Sequence, residues 1–211
     1  MTHRASPAGE IITGLILAGG RSERMGGTTK AFVPLAGKPL LSHVIDRVGP
    51  QVHRLLLSVE RVAGEYQGFG LPQVSDAKEG GGPLGGLLAG LQAMDKGSDW
   101  LLLVPCDAPF VPDTLAERLL DCAIESNMPG AVICYEGEIQ PTFSIWRRQI
   151  TARIEHAVDI QRMAGFKQFL RVQELAELDW PVTSPSPFFN INDHAALLTA
   201  GSLIETRNGK P

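Results

Sequence analysis
Residues 11–17, IITGLIL, are aliphatic or β-branched at every position except Gly14, and the run stops at Ala18-Gly19-Gly20. A run this short, with no alternation between apolar and polar sides, predicts a strand buried on both faces. Such a strand belongs inside a mostly parallel sheet with helices above and below it, so the rest of the chain has to supply that cover.

It does so by period. Leu40, Leu41, Val44, Ile45 and Val48 fall on one helical stripe, and Leu84, Leu87, Leu88, Leu91 and Met94 on another. Residues 54–59, 100–104, 131–135 and 142–146 read as strands, the second closed by Pro105, and a further strand is expected to end near Val74. Asp113 reads as the cap of a helix through Leu115, Leu119 and Ala123. Residues 150–158 and 193–200 read as two more helices, with a last short strand ahead of the second and a rigid loop at Ser184-Pro185-Ser186-Pro187 before that. Strands alternating with helices predict a single-domain, Rossmann-like α/β fold over residues 10–204, with a mostly parallel sheet. The ends, 1–9 and 205–211, are expected to be disordered tails.

With 44% hydrophobic residues the chain can form a real core. Its 19 Lys and Arg against 23 Asp and Glu leave a net charge of −4, which argues against nucleic acid as a partner. The first ten residues hold one Arg and no apolar h-region, and no apolar run is long enough to span a bilayer. A cytoplasmic protein without a membrane partner is therefore expected. Cys106, Cys122 and Cys134 are odd in number and lack the spacing of a zinc or redox motif, so they read as structural thiols. The five histidines are scattered and suggest no metal cluster.

Glycine is the exception to an ordinary composition. Eleven of the 23 glycines lie in residues 14–27 and 80–90, where even spreading would place about three. The first cluster leaves the buried strand and carries Arg21, Arg24 and Lys30, so its amides can bend around an anion while the cations neutralise it. That position, the carboxyl end of a first strand, is where open α/β sheets bind ligands. The P-loop spacing is not met, because Lys30 follows Thr29 and precedes Ala31, and neither is the GxGxxG of dinucleotide folds.

The loop does carry a longer pattern, LAGGxSxRMGxxxK, over residues 17–30. It resembles the loop of the nucleotidyltransferases built on a single domain of the nucleotide-diphospho-sugar transferase type. The resemblance continues through Gly37-Lys38-Pro39-Leu40, Asp76, Gly82-Pro83-Leu84-Gly85-Gly86, Pro105-Cys106-Asp107-Ala108-Pro109-Phe110, Gln140-Pro141 and Asn190-Ile191-Asn192. With Gly19-Gly20 at the loop, the chain is most similar to the molybdenum cofactor guanylyltransferase family over roughly residues 12–200. The resemblance implies an enzyme that transfers GMP from GTP to Mo-molybdopterin and releases pyrophosphate. It also implies a molybdoenzyme or another cofactor-biosynthesis protein as a protein partner.

The same resemblance assigns roles. Arg24, Lys30 and Asp107 are the implied catalytic set, the cations screening the triphosphate and Asp107 holding Mg²⁺. Leu17, Ala18, Gly19, Gly20, Lys30, Ser58, Asp76 and Asp107 are the implied GTP contacts. Gly82, Pro83, Asn190 and Asn192 are further candidates, the two asparagines because residues two apart on an extended run share a face. Arg147, Arg148, Arg162 and Lys167 are basic residues of the second half that could receive the pterin phosphate. Four positions depart from the family pattern: Thr29 where Asp is common, Ser58 in place of Asn, and Asp193-His194 in place of Thr-Pro. Two alternatives stay open on sequence alone. One is an enzyme of the same fold using CTP or another small acceptor; the other is a non-catalytic protein that binds and delivers the cofactor.

Overall fold
The computed structural model describes residues 9–19, 29–75 and 81–207. Within them, seven strands make one sheet: β1 (Ile12–Leu17), β4 (Arg54–Val59), β5 (Gln73–Ser75), β6 (Trp100–Pro105), β7 (Gly130–Tyr135), β8 (Glu138–Arg147) and β9 (Ala176–Asp179). A separate two-stranded hairpin joins β2 (Pro34–Leu35) to β3 (Lys38–Pro39). The helices are α1 (Leu40–Val48), α2 (Gly82–Gln92), α3 (Leu115–Glu125), α4 (Thr151–Asp159), the short α5 (Phe166–Phe169) and α6 (His194–Arg207).

The order across the sheet is β5-β4-β1-β6-β8-β7-β9. Beginning at β1, the chain winds outward through β4 to β5, then returns to the other side of β1 to form β6. Winding therefore reverses between β1 and β6, and a crevice opens above their carboxyl ends. The ladders β1/β4, β1/β6, β4/β5 and β7/β9 are parallel, while β8 runs antiparallel to both β6 and β7. The expected mostly parallel sheet is present, with one reversed strand. A two-residue turn makes that reversal, since Glu136 and Gly137 both have positive φ (53° and 77°), the type I′ geometry that matches strand twist.

Alternation along the central strands divides the core in two. Ile16, Leu102 and Val104 face one layer with α1 and α3; Leu15, Leu101 and Leu103 face the other with α2, α4 and α5. All six are fully buried, which is why β1 and β6 show no polar side in the sequence. A third, smaller cluster joins Val33, Leu35 and Leu40 to Phe110, Ile191 and Ala200, so the β2–β3 hairpin and α6 meet beside the crevice.

Several expectations need correction. Asp113 does not cap α3; it pairs with Arg47 at 3.1 Å, and the Ala116 amide donates to Gln51 instead. No strand lies between the 184–187 loop and α6, because residues 188–192 are irregular. α6 continues through Arg207, so Glu205 and Thr206 belong to it rather than to a tail. β8 starts at Glu138, four residues before the apolar run that announced it, and β9 went unanticipated. Asp193 does cap α6, accepting from the Ala196 amide at 2.8 Å.

Candidate active site
Both strands that flank the winding reversal end in segments that turn into the crevice. Leu17 pairs with Pro105, and the Cys106 amide donates to the Leu17 carbonyl at 3.0 Å, so the turn after β6 is stitched to the end of β1. The turn is lined by proline on both sides of Asp107 and packs Ala108 and Val111 into the core. Asp107 is left at the rim, 8% exposed, with its carboxylate toward the crevice. Burial pushes the neighbouring Cys106 thiol well above its usual range, and the Asp107 charge adds to the shift. Cys106 is thus a protonated core residue at neutral pH.

Lys30 enters from the other side. A single 3-10 turn, Lys30–Phe32, buries Ala31 and is followed by buried Val33, whose carbonyl accepts from the Leu40 amide. With both neighbours anchored, the Lys30 ammonium reaches Asp107 Oδ2 at 2.7 Å and Asn192 Oδ1 at 2.5 Å. The pair is only 17% and 11% exposed at the side chains, so it forms where solvent screening is weak.

Asn192 arrives through the segment before α6. Phe188 is buried against Phe143 (ring centroids 4.9 Å), Tyr135 and Trp180 (each 5.5 Å), and the Ile191 amide donates to the Asp107 carbonyl at 2.9 Å. Asn190 and Asn192 therefore flank a residue that is bonded directly to the aspartate backbone. Asn190 Oδ1 is buried and has no hydrogen-bond partner, a cost that proteins retain at sites completed by a ligand. The two asparagines reach the site from a loop pinned by Phe188 and Ile191, instead of from the expected extended strand.

The other wall is built from the glycines. Ser58 pairs with Leu17 in register and its carbonyl accepts from the Ala18 amide at 2.7 Å. A Cβ at Gly86 would stand 2.7 Å from Ser58 Oγ and 3.0 Å from Leu17, and one at Gly90 would stand 2.4 Å from Leu15. This face of α2 is therefore pressed against β1 and β4, a packing role. Gly82 has φ +56°, a Cβ there would meet the Ala164 carbonyl oxygen at 2.7 Å, and that carbonyl accepts from the Leu84 amide. Gly82 and Pro83 thus start α2 against the loop after α4, with no ligand needed to account for them.

A cleft of about 330 Å³ opens at the carboxyl ends of β1 and β4, lined by Ala18, Gly19, Thr29, Glu60, Arg61 and Tyr66, among others. Tyr66 forms its floor, packed on Phe32 at 5.0 Å, and its hydroxyl donates to the Ala18 carbonyl at 3.5 Å. Burial, together with Glu65, pushes the Tyr66 phenol up to about 12.

Residues 14–179 match the model of the MobA-like NTP transferase domain. A curated molybdenum cofactor guanylyltransferase from Rhodopseudomonas palustris (strain BisB5) is 34% identical over 194 residues, covering 90% of this chain and 90% of that protein. The chain belongs to the molybdenum cofactor guanylyltransferase family. Among solved structures, the molybdopterin-guanine dinucleotide biosynthesis protein A of Archaeoglobus fulgidus superposes with a TM-score of 0.73 at 20% identity, over 92% of this chain and 99% of that one. A Mycobacterium tuberculosis protein solved as a complex with manganese superposes at 0.63 and 18% identity, over 91% of this chain and 98% of that one. These likenesses establish a nucleotidyltransferase fold of the nucleotide-diphospho-sugar transferase type.

Of the family-implied residues, Lys30, Asp107 and Asn192 meet directly, with Asn190 beside them, and Leu17, Ala18, Gly19 and Ser58 adjoin at the end of β1. Gly20, Arg24 and Asp76 lie outside the described residues. Arg147 and Arg148 do not belong to the site. Because β8 is reversed, Arg147 pairs with Trp100 at the start of β6, and Arg148 bonds the Ser98 carbonyl, so both occupy the opposite edge of the sheet. At roughly 3.3 Å per residue along β6, that edge is about 20 Å from Asp107. Arg162 and Lys167 are exposed on the α4–α5 side, near the start of α2.

Among the described residues no group of three His, Cys, Asp or Glu side chains could cage a metal. Mg²⁺ does not require one, since it takes one or two carboxylates and completes its shell with water and phosphate oxygens. The donor set here, a rim carboxylate beside two carboxamide groups with one orphaned oxygen, fits such an ion. Sequence reasoning missed the bonds that Ile191 and Phe188 make; the paired Phe188-Phe189 ahead of Asn190 was the available signal. No helix among the described residues is long and apolar enough to cross a membrane.

Proposed function
We propose that this chain transfers GMP from GTP to the terminal phosphate of Mo-molybdopterin, forming the molybdopterin guanine dinucleotide cofactor and releasing pyrophosphate. The observation that carries the reading is the Lys30–Asp107–Asn192 constellation at the winding reversal, beside a wall of close-packed backbone at Leu17–Gly19. Family membership, through relatives named for this activity, supports the choice of nucleotide and acceptor.

In the reaction an oxygen of the acceptor phosphate bonds to the α-phosphorus of GTP while the bond from that phosphorus to the β-phosphate bridging oxygen breaks. The protein's task is positioning and charge neutralisation, because the reacting groups are all anionic. Lys30 exchanges Asp107 for triphosphate oxygens on binding, its ammonium being a compact charge within reach of both. Arg24 adds a second cation on the same loop. Leu17, Ala18, Gly19 and Gly20 offer backbone groups to the nucleotide, with Ser58 and Asp76 at its nucleoside end. Mg²⁺ held by Asp107 would supply positive charge to the phosphate oxygens, and a structural neighbour of the same fold solved with manganese supports a divalent ion. Asn192, released by Lys30, keeps its carboxamide against the Asp107 turn. The reaction is assigned to the cytoplasm, with residues 10–204 acting as one nucleotidyltransferase unit.

Pyrophosphate release from GTP in the presence of Mo-molybdopterin tests the reading, with Asp107→Ala expected to abolish it. Unchanged turnover in that variant would overturn the role given to Asp107. A thermal-shift panel of GTP, CTP, ATP and UTP with Mg²⁺ tests the nucleotide, since strong stabilisation by CTP alone would replace guanylyl with cytidylyl transfer.

A further inference from the structure
Lys30 is aimed by a 3-10 turn of only three residues, and a turn that short needs support from behind. The support is aromatic. At three residues per turn, side chains two apart on a 3-10 helix point about 120° away from each other, so Lys30 and Phe32 leave the turn on different sides. Lys30 faces Asp107 and Asn192, while Phe32 lies on Tyr66 with ring centroids 5.0 Å apart and on Phe69 at 5.7 Å.

Tyr66 and Phe69 belong to one 3-10 segment, Gly64–Phe69, between β4 and β5. Its entry is held by a side chain that imitates a neighbouring strand. The Ala63 amide donates to Gln73 Oε1 at 2.9 Å, and Gln73 Nε2 donates back to the Ala63 carbonyl at 3.0 Å. Gln73 itself sits on β5, in register with Leu57 of β4. The exit is a left-handed Gly70 (φ +68°), whose amide donates to the Gln67 carbonyl at 3.0 Å. The segment is thus anchored beside the sheet at both ends, and Tyr66 is its one buried residue, 4% exposed.

Tyr66 also touches the end of β1. Its hydroxyl donates to the Ala18 carbonyl at 3.5 Å, a long hydrogen bond. Ala18 precedes the glycine-rich loop and Phe32 follows it, so one side chain meets the backbone before the loop and the turn after it. No hydrogen bond among the described residues joins Tyr66 to Lys30, Asp107 or Asn192, so its influence on the chemistry passes through the turn.

We propose that Tyr66 is a positioning residue for the nucleotide half of the reaction: its ring seats Phe32, its hydroxyl holds the Ala18 carbonyl, and together these aim the Lys30 ammonium at the triphosphate. The proposal rests on the guanylyl-transfer reading above. Because the ring contact is close and the hydroxyl bond long, the ring carries most of the effect.

A double-variant cycle in kcat/KM for GTP, at saturating Mo-molybdopterin, tests it. Tyr66→Leu, which removes the ring contact, is expected to lower kcat/KM about tenfold with the KM for the pterin unchanged, since a misplaced cation no longer meets the phosphates. Tyr66→Phe keeps the ring and is expected to stay within about threefold of the wild type. In the Lys30→Met background, Tyr66→Leu is expected to change kcat/KM by less than about twofold, because the cation it aims is gone. Damage to the fold at large would instead cost the same factor in both backgrounds. If Tyr66→Leu shows no cooperative urea transition, Phe32→Leu takes its place in the cycle with the same expectations. A Tyr66→Leu enzyme within about twofold of the wild type, equal losses in the two backgrounds, or a Tyr66→Phe loss as large as that of Tyr66→Leu overturns the proposal. Absence of pyrophosphate release from GTP and Mo-molybdopterin by the wild-type enzyme would instead overturn the function on which it rests.

Discussion

Replacing Lys30 by methionine keeps the length of the side chain and removes its charge, leaving Asp107 and Asn192 without their shared donor. At 2.7 Å the Lys30–Asp107 attraction amounts to about 6 kcal/mol at an effective dielectric near 20. Desolvation of the two groups offsets part of that attraction, and measured costs of removing one member of a buried pair run to about 3–5 kcal/mol. The slight solvent contact that both side chains keep, 17% and 11%, argues for the lower end, about 3 kcal/mol. For a chain of this size that is a fall of about 6–12 °C in Tm. The loss comes mainly from stranding a carboxylate, so Asp107→Asn in the same chain should return much of it, and the double variant should be more stable than Lys30→Met alone. Urea denaturation of the wild type, both single variants and the double variant closes the cycle, with a coupling of at least about 1 kcal/mol expected for groups in direct contact. Turnover of GTP by Lys30→Met should fall by about two to three orders of magnitude, the usual effect of deleting one well-placed transition-state stabiliser. Single-variant losses that simply add, or a Lys30→Met protein as stable and as active as the wild type, would refute the pairing as both a structural and a catalytic element.

Two further outcomes follow from the fold. Gly82→Ala forces a side chain into a φ of +56° and against the Ala164 carbonyl, at a cost of about 1–3 kcal/mol, whereas Gly37→Ala meets only the strain of its φ of +79° in open space. Calorimetry should find the larger Tm loss for Gly82→Ala, and equal losses would show that the Ala164 contact costs nothing. Tyr66 holds its proton more tightly when folded than its ordinary value of 10.0, so its contribution to stability is intact below pH 10 and is lost as pH rises through about 12. Urea midpoints measured between pH 9 and 12 should fall less steeply for Tyr66→Phe than for the wild type; parallel curves would contradict the shift.

The parts of the fold that were legible in the sequence are those where burial is two-sided. Strands β1, β4 and β6 read as largely apolar runs without alternation because helices cover both faces, and α1, α2 and α3 show their stripes because one face of each meets the sheet. β9, with the sequence AELD, is a short edge strand carrying exposed acidic residues, so neither an apolar run nor a clean alternation marks it. The first half of β8 was hidden by Pro141, which reads as a breaker until the register shift between Val132 and Ile133 of β7 explains it. Lys30 and Asp107 were legible because their motifs are local. What no local pattern contains is strand order and direction: the reversal of β8 moves Arg147 and Arg148 away from the site, and only the sheet reveals it. Asn192 was a candidate from its motif, yet its bond to Lys30 is a property of the tertiary structure alone.

The bonds that define the centre span the chain: Lys30 reaches Asp107 across 77 positions and Asn192 across 162. No contiguous fragment shorter than that second interval can hold the centre, and during synthesis the lysine and aspartate are made long before the asparagine that joins them. Competence is therefore acquired last and all at once, when the segment ahead of α6 docks on the Asp107 turn. An assay of transfer doubles as a test of whether the whole molecule, from its first strand to its final helix, has come together.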